Sequence, residues 1–137
     1  MAGVHPITRG RHVFENSGLV RSTMGVTCQG CGTAANGCTN DKTEAVNRVR
    51  ALTIGQQDAH ADLLQPGDWF WIYNANPTCS GNHSAVFIGW DGPYARIIQG
   101  QWGKNVSAGS TCLRTSCPNG HFAPLIRIMR PQELMQQ

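Results

Sequence analysis

A cysteine becomes a useful nucleophile only when three groups meet: a thiol that can lose its proton, an imidazole to take it, and a polar side chain that orients the imidazole. The chain carries six cysteines. It also places His83 at the head of an apolar run, Ser84-Ala85-Val86-Phe87-Ile88-Gly89-Trp90, which stops at Asp91-Gly92-Pro93. Asp-Gly is a strong hairpin signal, so 83–90 and 94–99 read as adjacent antiparallel strands with a two-residue turn at 91–92. That hairpin brings Gln99 back toward His83, where its amide can accept from or donate to one ring nitrogen. The bland readings of the same residues are a structural strand-edge histidine, an ordinary strand glutamine, and thiols committed to disulfides.

Positioning these groups requires a scaffold. Leu64-Gln65-Pro66-Gly67-Asp68 reads as a tight turn that launches Trp69-Phe70-Trp71-Ile72, and strands are expected at about 68–73, 83–90, 94–99 and 123–129. Asp41-Lys42-Thr43-Glu44 fits a capping box, Ala45, Val49 and Leu52 recur at helical spacing, and Gly55 suits the position just past a helix end. A helix is therefore expected at about 42–53, followed by a polar connector over 56–65. Residues 1–27, punctuated by Pro6, Gly10, Gly18 and Gly25, read as extended segments and turns that wrap the core. The run from Cys28 to Cys38 reads as a flexible loop with one helical turn at 32–35, 103–122 as an irregular surface excursion, and 132–137 as a frayed tail. A helix followed by antiparallel strands predicts an α+β fold in a single domain spanning 1–137.

These segments together resemble the second half of the NlpC/P60 and CHAP cysteine peptidases. The resemblance covers roughly 60–131 and rests on the Pro66-Gly67-Asp68 turn, on His83 opening Ser84-Ala85-Val86-Phe87-Ile88-Gly89, on Ile97-Ile98-Gln99, and on Ile126-Arg127-Ile128-Met129-Arg130-Pro131. It implies a papain-like α+β fold with one main N-terminal helix packed on a small antiparallel sheet. It also implies hydrolysis of cell-wall (peptidoglycan) peptides, with His83 as base, Gln99 as orienter and a cysteine nucleophile. Gly25-Val26-Thr27-Cys28-Gln29-Gly30 is similar to the family's nucleophile frame, which makes Cys28 the first candidate and Cys31 the second. Cys38 stands just ahead of the expected helix, where the helix dipole lowers a thiol pKa, but its distance to Pro66 is short for the family. Of the tryptophans, Trp102 within Gly100-Gln101-Trp102-Gly103 has the loop context that suits substrate contact, whereas Trp69, Trp71 and Trp90 read as core.

Two other readings use the same residues. Cys28-x-x-Cys31 with Cys112 and Cys117, and His121 close by, is a candidate structural zinc site, although Cys112 and Cys117 also suit a short-loop disulfide. A non-catalytic structural or binding module, such as a virion component, is the other. Six cysteines allow 15 pairings that the sequence does not rank. The net charge of +3 comes from scattered basic residues, which argues against a nucleic-acid footprint, and no stretch approaches the roughly 20 apolar residues of a membrane span. No signal peptide is read at the N-terminus. The hydrolase reading needs no cofactor; its partners are a peptidoglycan peptide and, in a phage particle or secretion system, neighbouring assembly proteins. It predicts an extracellular or virion-associated site of action after release, and otherwise a cytoplasmic one.

Overall fold

The computed structural model describes residues 10–16, 42–73, 82–100 and 106–131. Its core is a six-stranded sheet in which every neighbouring pair is antiparallel, in the order β1-β6-β2-β3-β4-β5. The strands are β1 (Gly10–Glu15), β2 (Trp69–Tyr73), β3 (Asn82–Asp91), β4 (Tyr94–Gln99), β5 (Ser107–Cys112) and β6 (Leu125–Pro131). Between β1 and β2 lie α1 (Lys42–Thr53) and the single-turn α2 (Gln57–Ala61).

The expected α+β, papain-like arrangement of one main N-terminal helix on a small sheet is overturned. The sheet dominates, and the helix sits after a first strand that pairs with the last one. Two strands account for the difference. β1 arises within the expected wrap and closes one edge against β6. β5, Ser107-Ala-Gly-Ser-Thr-Cys112, arises inside the expected surface excursion. Its small polar residues give no apolar alternation, so the ladder to β4 forms through backbone hydrogen bonds that leave no pattern in the side chains. The rest of that excursion is anchored in the core at Leu113 and Phe122, which are fully buried, while Ser116, Pro118, Asn119 and His121 stay exposed.

The middle of the sheet is covered on both faces. On one, Phe70, Ile72, Ala85, Phe87, Ala95, Ile97 and Ile128 pack with Phe14, Leu64, Leu113 and Leu125. On the other, Val49 of α1 packs against Tyr73 and Ile126, with Val46 and Trp71 alongside. Trp69-Phe70-Trp71-Ile72-Tyr73 thus buries both of its faces, which is why it reads as a continuous apolar run. A bulge in β6, where Trp71 pairs with Arg127 but Ile72 with Leu125, shifts the register by one, so that Leu125 joins the first core and Ile126 the second.

The helix forms over Lys42–Thr53 as expected, but its inward stripe differs. Val49 is buried as expected, but Leu52 is 51% exposed, and Val46 and Thr53 complete the inward face instead. Thr53 is buried because its Oγ1 donates to the Val49 carbonyl at 3.1 Å. Gly55 does not take the left-handed conformation expected of a helix-terminating glycine; among the described residues the positive-φ glycines are Gly10, Gly67, Gly92 and Gly120. The chain turns straight into α2, which replaces the expected polar connector. Gln57 is what a polarity reading misses: its amide donates to Leu113 O at 2.7 Å and Ala123 O at 3.0 Å and accepts from Leu125 N at 3.1 Å. A buried side chain here does the hydrogen bonding of a missing strand.

The Pro66-Gly67-Asp68 turn is fixed by a charge. Gly67 has φ +95°, open to glycine at little cost. Asp68 is fully buried and takes both guanidinium arms of Arg130, Nε to Oδ1 at 3.0 Å and Nη2 to Oδ2 at 2.9 Å, while Gln65 N–H donates to Oδ2 at 2.8 Å. Those bonds push the Arg130 guanidinium further above its ordinary range. This clamp ties the start of β2 to the end of β6.

Asp68→Ala leaves the Gln65 N–H without its acceptor and Arg130 without its counter-charge, with only the Leu63 carbonyl still accepting from Nη2 at 2.9 Å, and is expected to cost about 3–5 kcal/mol in urea unfolding at neutral pH. A loss below about 1 kcal/mol, the scale of an exposed pair, would contradict the clamp. A second expectation concerns His60, which stacks on Phe14 with ring centroids 3.8 Å apart. Burial pushes its imidazole below the ordinary value of 6.5. As pH falls through 6.5 the unfolded chain gains a proton that the folded chain refuses, so stability present above that value declines toward the folded value. Thermal unfolding between pH 7.5 and 5 is therefore expected to fall more in wild type than in His60→Phe; equal slopes would contradict it.

Candidate functional site

β3 and β4 form a hairpin whose loop residues are Gly92 and Pro93, because Asp91 pairs with Tyr94. The turn therefore lies one residue beyond the expected 91–92 position. Gly92 has φ +58°, and the proline ring holds a negative φ after it, which suits a II′ connection. Further along, Gly89 pairs with Arg96 but Phe87 pairs with Ile97, so Ile88 is an extra residue in β3. This bulge brings Phe87 and Trp90 onto one face, with ring centroids 5.1 Å apart.

Below the bulge, alternation puts His83, Ala85 and Phe87 on that face, and Ala95, Ile97 and Gln99 on the same side of β4. The consequence is a direct contact: His83 Nε2 lies 2.8 Å from Gln99 Oε1. An amide oxygen only accepts, so the ring nitrogen donates, and this contact selects the Nε2–H tautomer of the neutral ring. In that tautomer Nδ1 keeps its lone pair. Both residues are half-buried, and Ile72 of β2 pairs with His83 on the side away from Gln99. An imidazole held in one tautomer through Nε2 has its other nitrogen as the position at which a proton can be taken from an acid and returned.

The other sequence candidates divide in two. Cys28, Cys31, Cys38 and Trp102 lie outside the described residues, as does Asp41 of the expected capping box. Cys112 and Cys117 are joined in a disulfide at the end of β5. That bond removes two of the four thiolates from the zinc set Cys28, Cys31, Cys112 and Cys117, and corrects the zinc alternative. Among the described residues no group of three or more His, Cys, Asp or Glu side chains is arranged to hold a metal ion.

The disulfide closes a loop that locks against α2. Arg114 Nη1 donates to Asp62 Oδ1 at 2.6 Å, and its guanidinium lies 4.0 Å from the Trp90 ring centre. Asp58 accepts from the Thr115 hydroxyl and backbone N–H, and these bonds hold its carboxyl below the usual range. Trp90 is thus occupied from above by a cation, Trp69 is buried, and Trp71 packs beside Val49 and Ile126, with the Arg127 guanidinium 5.5 Å from its ring centre. No helix among the described residues is long and apolar enough to cross a membrane.

Comparison with family models, with curated proteins and with solved structures finds no match to this chain.

The disulfide yields an expectation of its own. Cys112→Ser/Cys117→Ser is expected to fold, with a stability lower by about 2 kcal/mol from the entropy of so short a loop. Wild-type stability is expected to be indifferent to a chelator. Unfolding of the wild type by chelator would restore a metal reading.

Proposed function

We propose that the protein is a thiol hydrolase of cell-wall peptides in which His83 is the base and Gln99 its orienter. The observation that carries the reading is the 2.8 Å hydrogen bond from His83 Nε2 to the Gln99 amide oxygen. Cys28, in its Gly25-Val26-Thr27-Cys28-Gln29-Gly30 frame, is the proposed nucleophile, with Cys31 as the alternative.

In the proposed reaction His83 Nδ1 takes the thiol proton and the sulfur attacks the peptide carbonyl carbon. A carbon–sulfur bond forms and the carbonyl electron pair moves to oxygen, where a backbone N–H beside the cysteine stabilises it. Collapse expels the amine, which leaves with the proton held by His83. Water, deprotonated by the same nitrogen, then cleaves the thioester and frees the thiol. Throughout, Gln99 Oε1 holds the Nε2–H, so the ring cannot flip as its charge changes.

The substrate class follows from the resemblance to the NlpC/P60 and CHAP peptidases, carried by His83, Gln99 and the Pro66-Gly67-Asp68 turn. The Cys112–Cys117 disulfide favours action in an oxidising setting, outside the cell or after release from a particle. A peptidoglycan peptide is the proposed partner, with neighbouring virion or secretion-system proteins as further ones.

The test is muropeptide release from purified peptidoglycan, with products identified by mass spectrometry. Wild type is expected to release peptides; Cys28→Ala and His83→Ala are expected to lower the rate by at least about 10²–10⁴-fold with folding intact. Loss of release in Cys31→Ala but not Cys28→Ala would move the nucleophile by three residues. No release from folded wild type would contradict the hydrolase reading in favour of a non-catalytic module.

A further inference from the structure

Resting on the assignment of His83 and Gln99 above, we infer that Gly109 is the positioning residue that sets the Gln99 amide against His83. Gly109 lies on β5 and pairs with Ile97, so any side chain there would project onto the face shared by Ile97 and Gln99. The glutamine amide already occupies that space. A Cβ at position 109 would stand 2.8 Å from Gln99 Nε2 and 3.5 Å from Gln99 Cδ. The first distance is shorter than real carbon–nitrogen contacts allow, and the amide nitrogen is what must give way. Because Nε2 and Oε1 share one rigid planar group, moving the nitrogen moves the oxygen that accepts from His83.

The geometry also says what the glycine is not for. Gly109 has no left-handed φ, unlike Gly67 or Gly92, so its backbone would accept an alanine. Its strand is paired to β4 through Gln99↔Ser107, Ile98↔Ala108 and Ile97↔Gly109, none of which needs a glycine. In a strand interior glycine is otherwise unfavourable, and it often marks a close approach. Here the approaching group is Gln99. The amide is held between β5 beneath its nitrogen and β3 at its oxygen, a position that Ala108 does not affect because alternation turns it to the opposite face of β5.

The consequence separates orientation from stability. Substituting Gly109 displaces the end of a flexible side chain rather than backbone, so the fold tolerates it while the His83 tautomer loses its fixed partner. The experiment is a long-range ¹H–¹⁵N correlation spectrum of imidazole nitrogens in wild type, Gly109→Ala, Gln99→Ala and Ala108→Ser, with thermal unfolding of each. Wild type and Ala108→Ser are expected to show His83 as a single Nε2–H tautomer. Gly109→Ala and Gln99→Ala are both expected to show mixed tautomers, while Gly109→Ala unfolds within a few degrees of wild type. In the peptidoglycan assay, Gly109→Ala is expected to lower kcat by roughly 10–100-fold with little change in KM, and the double variant Gly109→Ala/Gln99→Ala no further than Gln99→Ala alone.

A Gly109→Ala spectrum identical to wild type would overturn the inference whatever the activity. Mixed tautomers in a protein without hydrolase activity would sustain the positioning role and defeat only the hydrolase reading. A double variant whose losses multiply would show Gly109 acting on something other than Gln99, and would also overturn it.

Discussion

Side-chain parity across the β3–β4 hairpin is the constraint on which the site depends. Strand residues alternate between faces, so a slip of one residue sends a whole set of side chains to the opposite side of the sheet. With the loop at Gly92-Pro93, an unbroken ladder would set Gln99 opposite Val86, on the face away from His83. The extra residue at Ile88 shifts the register by one below the bulge and returns Gln99 to the face of Ala85 and His83. The same insertion pairs Phe87 with Trp90 in the core, so the packing that stabilises the bulge also fixes the contact of His83 with Gln99. Bulges of this kind re-aim side chains next to functional sites in other sheets as well.

Around that hairpin, buried polar groups do the joining that apolar packing cannot. Asp68 holds Arg130 with two bonds and the Gln65 N–H with a third, and its backbone carbonyl accepts from Phe87 N at 2.8 Å. The turn before β2 is thereby tied both to β6 and to the strand that carries His83. Gln57 performs a similar service between α2 and the segment 113–125. Neither group is isolated, which is the condition for burying them at all. Orientation then passes outward: β5 supports Gln99 through Gly109, Gln99 supports His83, and His83 presents Nδ1.

The parts of the fold that were legible in the sequence are those whose chemistry is local. Pro66-Gly67-Asp68 announces a turn, the aromatic run after it a strand, and the apolar run closed by Asp91-Gly92-Pro93 a hairpin; all three form near their expected positions. What escaped depends on partners distant in the chain. β5 has no apolar alternation, because its place is fixed by the β4 backbone. α2 is polar, because Gln57 serves the backbone of the segment 113–125, with separations of 56 to 68 along the chain. Leu52 matched the helical spacing yet faces out, since the sheet meets α1 along Val46 and Val49 instead. The His83 to Gln99 bond was expected on a turn at 91–92, which would have put Gln99 opposite Ser84 and out of reach; the observed contact requires the shifted turn and the bulge together, and nothing in Val86-Phe87-Ile88-Gly89 except the glycine hints at one.

An imidazole whose Nε2 donates to Gln99 can act as a base only where an acid meets Nδ1. The acid proposed for that place is a single thiol, and the most direct measurement is the rate at which each cysteine is alkylated by iodoacetamide at neutral pH, mapped by mass spectrometry in wild type and His83→Ala. One fast-reacting cysteine, at position 28 or 31, whose rate collapses in His83→Ala is the predicted result. Uniformly slow alkylation, or a fast cysteine whose rate is unchanged without His83, would contradict it.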